Sequence, residues 1–167
     1  MTIPYPDMTE VAQEWQELVE KKPLNVFKML FHSPNMAPGY FSLAEGILRG
    51  NTLPGPLREL VILRVGNLYD APYELFHHER LARVAGLSEA GIAGAKLGAT
   101  AEGLTDEERS LITWTDSIVN HHELVGQQRE DAVAQFGYKG LMDIVMTVGF
   151  YQLVCNYLRT FDIAIEG

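Results

Sequence analysis

The chain has 167 residues, 47% of them hydrophobic, a single cysteine and a formal net charge of −9. That length makes one ordinary domain able to bury a core without metal or disulfide staples, and one cysteine excludes an intramolecular disulfide. The acidic balance, with no cluster of Lys or Arg, argues against nucleic acid or an anionic membrane as partner.

Residues 1–7 contain no basic region followed by an apolar one, so a cytoplasmic protein is expected. Almost every later segment has helical period and none alternates β-branched residues, which predicts an all-α fold. A first amphipathic helix is expected over residues 8–20, with Val11, Trp15, Leu18 and Val19 inward and Lys21-Lys22-Pro23 as its stop. Shorter helices follow over 24–31, broken by Ser33-Pro34, and over 38–50, stopped by Gly50. Leu53-Pro54-Gly55-Pro56 is a turn, and 57–68 reads as a helix apolar on nearly all sides, which belongs in the core. Its polar exceptions include Arg58, Glu59 and Arg64. Glu59 shares a face with Ile62, Leu63 and Gly66, so a carboxylate points into packed surroundings. It is either salt-bridged to an arginine or functional.

The next helix opens with Ala71-Pro72-Tyr73-Glu74-Leu75-Phe76-His77-His78 and ends at Gly86. Asp70 is expected to cap it, with Pro72 where a missing N–H costs nothing, so Glu74 falls near the positive end of the dipole and should stay charged. His78, one turn on, shares a stripe with Leu75, Ala82 and Ala85 and should point inward. A buried imidazole beside a carboxylate is equipped to move protons near neutral pH. A helix over 88–97 follows, then one running to about 119 that starts at a capping box of Thr105 and Glu108. Residues 126–136 form an amphipathic helix ending at Gly137, and an apolar helix over 139–162 closes the chain. Within it, 141–158 is interrupted by Asp143, Thr147, Gln152 and Asn156, costly in hydrocarbon, so it reads as a buried helix.

Taken together, Leu57-Arg58-Glu59-Leu60-Val61-Ile62-Leu63, then Tyr73-Glu74 with His78, then Ala85-Gly86-Leu87-Ser88, resemble the carboxymuconolactone decarboxylase family, which includes the alkyl hydroperoxidase D-like proteins. The resemblance is distinctive from about residue 38 to 99 and implies a single domain over 1–167 with the alkyl hydroperoxidase D-like helical bundle. Redox members of the family carry Cys-x-x-Cys at a helix start, a histidine four residues after the second cysteine and a glutamate on the preceding helix. Those positions are here Ala71, Glu74, His78 and Glu59. Without the cysteines, thiol and peroxide chemistry by that route has no nucleophile. The decarboxylase branch also lacks the pair and places a glutamate four residues before the histidine, so the resemblance implies an acid–base enzyme or a relative that kept the scaffold. It also implies a homotrimer or hexamer, and the two nearly all-apolar helices independently favour association.

The leading expectation is a cofactor-free lyase or isomerase acting on a small organic acid, lactone or related carbonyl compound. His78 would carry the proton, Glu74 would orient the imidazole and raise its pKa, and Glu59 would be a second acid or base. Arg58, Arg64 or the helix start before Glu74 would hold a substrate anion, and Tyr69 and Tyr73 would contribute hydroxyls. Tyr40, Phe41, Phe76, Phe150 and Tyr151 are further candidates for a pocket wall, although aromatic residues at helical spacing are usually core. Glu74-Leu75-Phe76-His77 has the Glu-x-x-His spacing of di-iron bundles, but such a site needs a second motif that the chain lacks, and no metal or other cofactor is expected. Two other readings stand beside this one. One is a non-catalytic binding or assembly module with Glu74 and His78 tied only to each other. The other is an antioxidant protein relying on Cys155.

Overall fold

The computed structural model describes residues 3–167. Among them are eight α-helices and no strand, as the sequence periodicity predicts. They are α1 (Gln13–Lys21), α2 (Asn25–Leu30), α3 (Ala37–Arg49), α4 (Gly55–Leu68), α5 (Pro72–Ala85), α6 (Glu89–Leu97), α7 (Asp106–His121) and α8 (Gly126–Thr160). The axis of the fold is α4. A helix apolar on nearly every side can satisfy itself only in the middle of a bundle, and α4 touches α5, α6, α7 and α8. Leu60, Val61, Ile62, Leu63 and Val65 are essentially without exposure, each worth about 1.5–3 kcal/mol of burial against the entropy of ordering.

Where α4 meets α5 the packing is close enough to require a glycine. A Cβ on Gly66 would lie 3.0 Å from Leu75 Cδ2 and 3.6 Å from Glu74 Cγ. This tight crossing brings Glu59 on α4 against His78 on α5. The connection also corrects an expectation. Asp70 does not cap α5: it takes a left-handed φ of 48° and its N–H closes the end of α4 on Asn67 O. A capping residue needs extended backbone, so the N-cap falls to Ala71, which offers no side-chain bond, and Pro72 opens the helix as expected.

Residues expected as one first helix divide at Val11 and Ala12, both extended. A 3-10 turn at Met8–Glu10, capped by Asp7, precedes α1. Trp15 stacks on Phe41 at 5.5 Å beside Val19, Phe31 and Ala37, a small satellite core under the N-terminal helices. The capping box of Thr105 and Glu108 forms as predicted. Gly137, with φ 68°, breaks α8 into the two predicted helices.

The second half of α8 is less buried than its composition suggests. By length and composition alone α8 could cross a bilayer, but Ile144, Val148, Tyr151, Val154 and Cys155 are spent on the core. The opposite face leaves Met142, Val145, Met146 and Leu153 exposed. Of the polar interruptions, Thr147 is bonded by Asn51 and donates to Asp143 O, and Asp143 accepts from the Thr52 N–H.

Candidate active site

α4 and α5 place three ionisable side chains in one buried cluster. Glu59, Glu74 and His78 are each less than a tenth exposed. His78 Nδ1 lies 2.7 Å from Glu59 Oε2, and the other oxygen of Glu59 accepts from Arg58 Nη2 at 3.3 Å. A carboxylate acceptor fixes the proton on Nδ1 and turns Nε2 toward the remaining neighbours. Those are Glu74 Oε1 at 3.0 Å and the Tyr151 hydroxyl at 3.4 Å. The Glu74 contact is close but misaligned, so Glu74 Oε1 is buried without a hydrogen-bond partner. The ring of Tyr151 meets the imidazole edge-on, centroids 5.2 Å apart.

The protonation of these groups follows from their surroundings. Glu74 is raised above its ordinary 4.5, chiefly because burial strips its water, with Glu59 adding repulsion and His78 opposing. The helix start, which predicted a charged Glu74, is outweighed by this desolvation. Burial alone would lower His78, but the charges of Glu74 and then Glu59 exceed it and hold the imidazole above its ordinary 6.5. Tyr151 is pushed well above 10 by burial and by the two carboxylates. The cluster can therefore hold a proton near neutrality while keeping a phenol O–H intact.

Glu74, His78 and Tyr151 open on a cavity of about 360 Å³. Phe27 of α2, Tyr40 of α3 and Phe150 and Val154 of α8 make its apolar wall; Lys22, His77 and Arg80 also line it. Neither Lys22 nor Arg80 forms an ion pair among the described residues. The arrangement is a chain of three residues from Arg58 through Glu59 to His78, ending at a hollow large enough for a small molecule. Among the described residues no group of three or more His, Cys, Asp and Glu side chains has the arrangement to hold a metal ion.

Several expected binding residues lie elsewhere. Arg64 forms a two-pronged salt bridge with Asp116 on α7, at 2.6 and 2.9 Å, and also donates to Ala95 O. Arg58 curls onto the adjacent Glu59, whose buried charge needs a counter-charge, and does not line the cavity. Tyr69 accepts from Gln152 outside the cavity. The first residues of α5 border a separate hollow beside Asp70, Arg159 and Asp162. Tyr73 does line the cavity, but its hydroxyl donates to Glu166 at 2.6 Å. The imidazole is oriented by Glu59, where Glu74 was expected in that role. Of the aromatic candidates Tyr40, Tyr73, Phe150 and Tyr151 line the cavity, whereas Phe41 packs under Trp15 and Phe76 is exposed.

Sequence reasoning missed Lys22, Arg80, His77 and Glu166. Glu166 binds the backbone N–H of Asn25, the Tyr73 hydroxyl and His77 Nε2, fastening α2 against α5. No local pattern announces a contact across 89 residues or more.

The model of the carboxymuconolactone decarboxylase family matches residues 34–117. No curated protein matches the chain. Among solved structures, an alkylhydroperoxidase AhpD core, an uncharacterized peroxidase-related protein from Ralstonia eutropha JMP134, superposes with a TM-score of 0.82 at 16% identity, covering 98% of this chain and 91% of that one. A protein of unknown function from Agrobacterium tumefaciens gives 0.74 at 19% identity, over 83% of this chain and 95% of that one. A variant of the debrominase Bmp8 in complex with 2,3,4-tribromopyrrole gives 0.76 at 13% identity, over 100% and 92%. These likenesses establish the AhpD-like helical fold.

Proposed function

This chain belongs to the carboxymuconolactone decarboxylase family, and on that footing we propose that it is a cofactor-free lyase or isomerase, moving a proton at carbon on a small organic acid, lactone or related carbonyl compound. The observation that carries this reading is the Glu59–His78 pair, buried and aligned, with its Nε2 beside the unpartnered Glu74 oxygen at a cavity.

The chemistry follows from these positions. Neutral His78 takes a proton at Nε2 from a carbon next to a carbonyl. The C–H pair becomes a C=C bond and the carbonyl pair moves onto oxygen. Glu59, holding Nδ1–H, stabilises the imidazolium that forms. Returning the proton to a different carbon gives isomerisation. Where CO₂ leaves instead, His78 begins as the imidazolium, protonates the carbon that keeps the pair of the broken C–C bond, and regains its proton from water. Glu74, whose carboxyl burial raises above its ordinary 4.5, stands beside Nε2 as the second acid–base group. Lys22 and Arg80, without ion pairs at the cavity wall, suit a substrate carboxylate.

A non-catalytic module would have Glu74 and His78 tied only to each other; the hold of Glu59 on Nδ1 and the free Glu74 oxygen favour the enzyme. A thiol route is disfavoured because Cys155 is fully buried and burial pushes its thiol up. The reading includes self-association as a homotrimer or hexamer, supported by the exposed Met142, Val145, Met146 and Leu153 of α8.

Proton transfer at carbon is tested without knowing the substrate. A panel of small carboxylates, lactones and enolisable carbonyl compounds is incubated in deuterium oxide and read by NMR for solvent deuterium entering C–H positions. The wild-type protein is expected to exchange at least one compound, and His78→Ala to lose the rate about 100-fold or more. A folded His78→Ala protein that exchanges the same compound at the wild-type rate contradicts the proposal.

A further inference from the structure

Moving a proton from carbon beside a carbonyl leaves negative charge on oxygen, and that oxygen needs a donor already in place. The donors expected for that task are engaged elsewhere. Arg64 is held by Asp116, Arg58 by Glu59, and the hydroxyl of Tyr73 and the ring nitrogen of His77 by Glu166. The start of α5 borders another hollow. Of the cavity-lining hydroxyls, the one within reach of the imidazole nitrogen is that of Tyr151, on α8.

Tyr151 has the properties the task requires. Only 3% of it is exposed, and Phe150 packs edge-on against its ring at 5.4 Å. Its hydroxyl is 3.4 Å from His78 Nε2, long for an O–H···N bond, so little is lost when it turns toward a ligand oxygen. A base and a donor that close together fit one enolisable group, with the carbon at the imidazole and the oxygen at the phenol. Burial and two carboxylates keep the phenol protonated through any working pH. Tyr151 also lies outside the stretch matched by the family model, residues 34–117.

We propose that Tyr151 is a catalytic residue, the hydrogen-bond donor to the substrate oxygen on which charge builds while His78 moves the proton. This rests on the proton-transfer reading. As His78 Nε2 takes the proton from carbon, the Tyr151 O–H strengthens its bond to the developing oxyanion without giving up its proton. When the C=C pair is reprotonated, that bond relaxes to one with a neutral carbonyl. No co-reactant is consumed.

4-Nitrophenolate, a planar oxyanion whose visible absorption responds to hydrogen bonding, serves as the probe. Its dissociation constant and bound spectrum are measured for the wild-type protein, Tyr151→Phe and, as control, Tyr69→Phe, whose hydroxyl lies outside the cavity. Wild type and Tyr69→Phe are expected to bind alike, and Tyr151→Phe about 10-fold or more weakly, with the bound absorption shifted. The melting temperature of Tyr151→Phe should stay near wild type, since only a long, weak bond is removed. Equal affinity and an identical spectrum in Tyr151→Phe overturn the assignment, as does a wild-type protein that does not bind the probe. If deuterium exchange is nevertheless lost in His78→Ala, the proton-transfer reading survives and only the role of Tyr151 falls.

Discussion

A carboxylate in the first turn of a helix gains from the dipole by roughly 0.3–1 kcal/mol, yet Glu74 gives up nearly all of its water to sit there. The loss is larger, and the consequence is measurable. A raised carboxyl pKa means that the folded chain binds the proton more tightly than the unfolded chain. The stability it contributes is fully present below the ordinary 4.5 and is lost as pH rises through the raised value. Glu74→Gln should therefore match wild type in urea denaturation at acid pH. At a pH above the raised value, where the buried carboxyl has lost its proton, the variant should be more stable by about 1 kcal/mol. A Glu74→Gln protein less stable than wild type at that pH would mean that the carboxylate is well solvated or well paired. The sequence placed Glu74 and His78 on one inward face because i, i+4 spacing is local. It did not foresee the upward shift of the Glu74 carboxyl, because burial is imposed by neighbouring helices, α4 and α8 among them, which no spacing within α5 reports.

At the scale of elements, the helices most legible in the sequence were those with chemical punctuation at their ends. Thr105 and Glu108 reciprocally cap α7, and Gly137 breaks α8 at the predicted place. The start of α5 was read less well, because Asp70 adopts a left-handed φ that only the turn from α4 demands. The apolar end of α8 was read as buried, but composition does not distinguish a core face from one awaiting a partner. Its exposed face carries Met142 at 59% and Leu153 at 53%, with Val145 and Met146 between them, a continuous stripe of the kind that marks a contact. Association through this face predicts that sedimentation of the wild-type protein gives a trimer or hexamer, and that Met146→Lys shifts it toward monomer while leaving the helix content unchanged. A wild-type monomer at micromolar concentration contradicts this.

Across the whole molecule the cavity is a property of distant segments. Lys22 follows α1, Phe27 comes from α2, Tyr40 from α3, Glu74, His78 and Arg80 from α5, Tyr151 from α8, and Glu166 of the C-terminal segment pins the wall from behind. Glu59, Glu74 and His78 were legible as candidates, from helix faces and the family resemblance, but the hold of Glu59 on the imidazole was not, nor were the rim and its pin, because their partners lie on other elements. The central claim is that Glu59 holds a raised, cavity-facing His78 ready to exchange a proton. It is tested most directly by following the imidazole nitrogens of His78 by NMR as pH is varied, in wild type and in Glu59→Gln. The account predicts a wild-type ring protonated at Nδ1 when neutral, titrating above the ordinary 6.5 and falling in Glu59→Gln. A His78 that titrates at or below 6.5 and is indifferent to Glu59→Gln would contradict it.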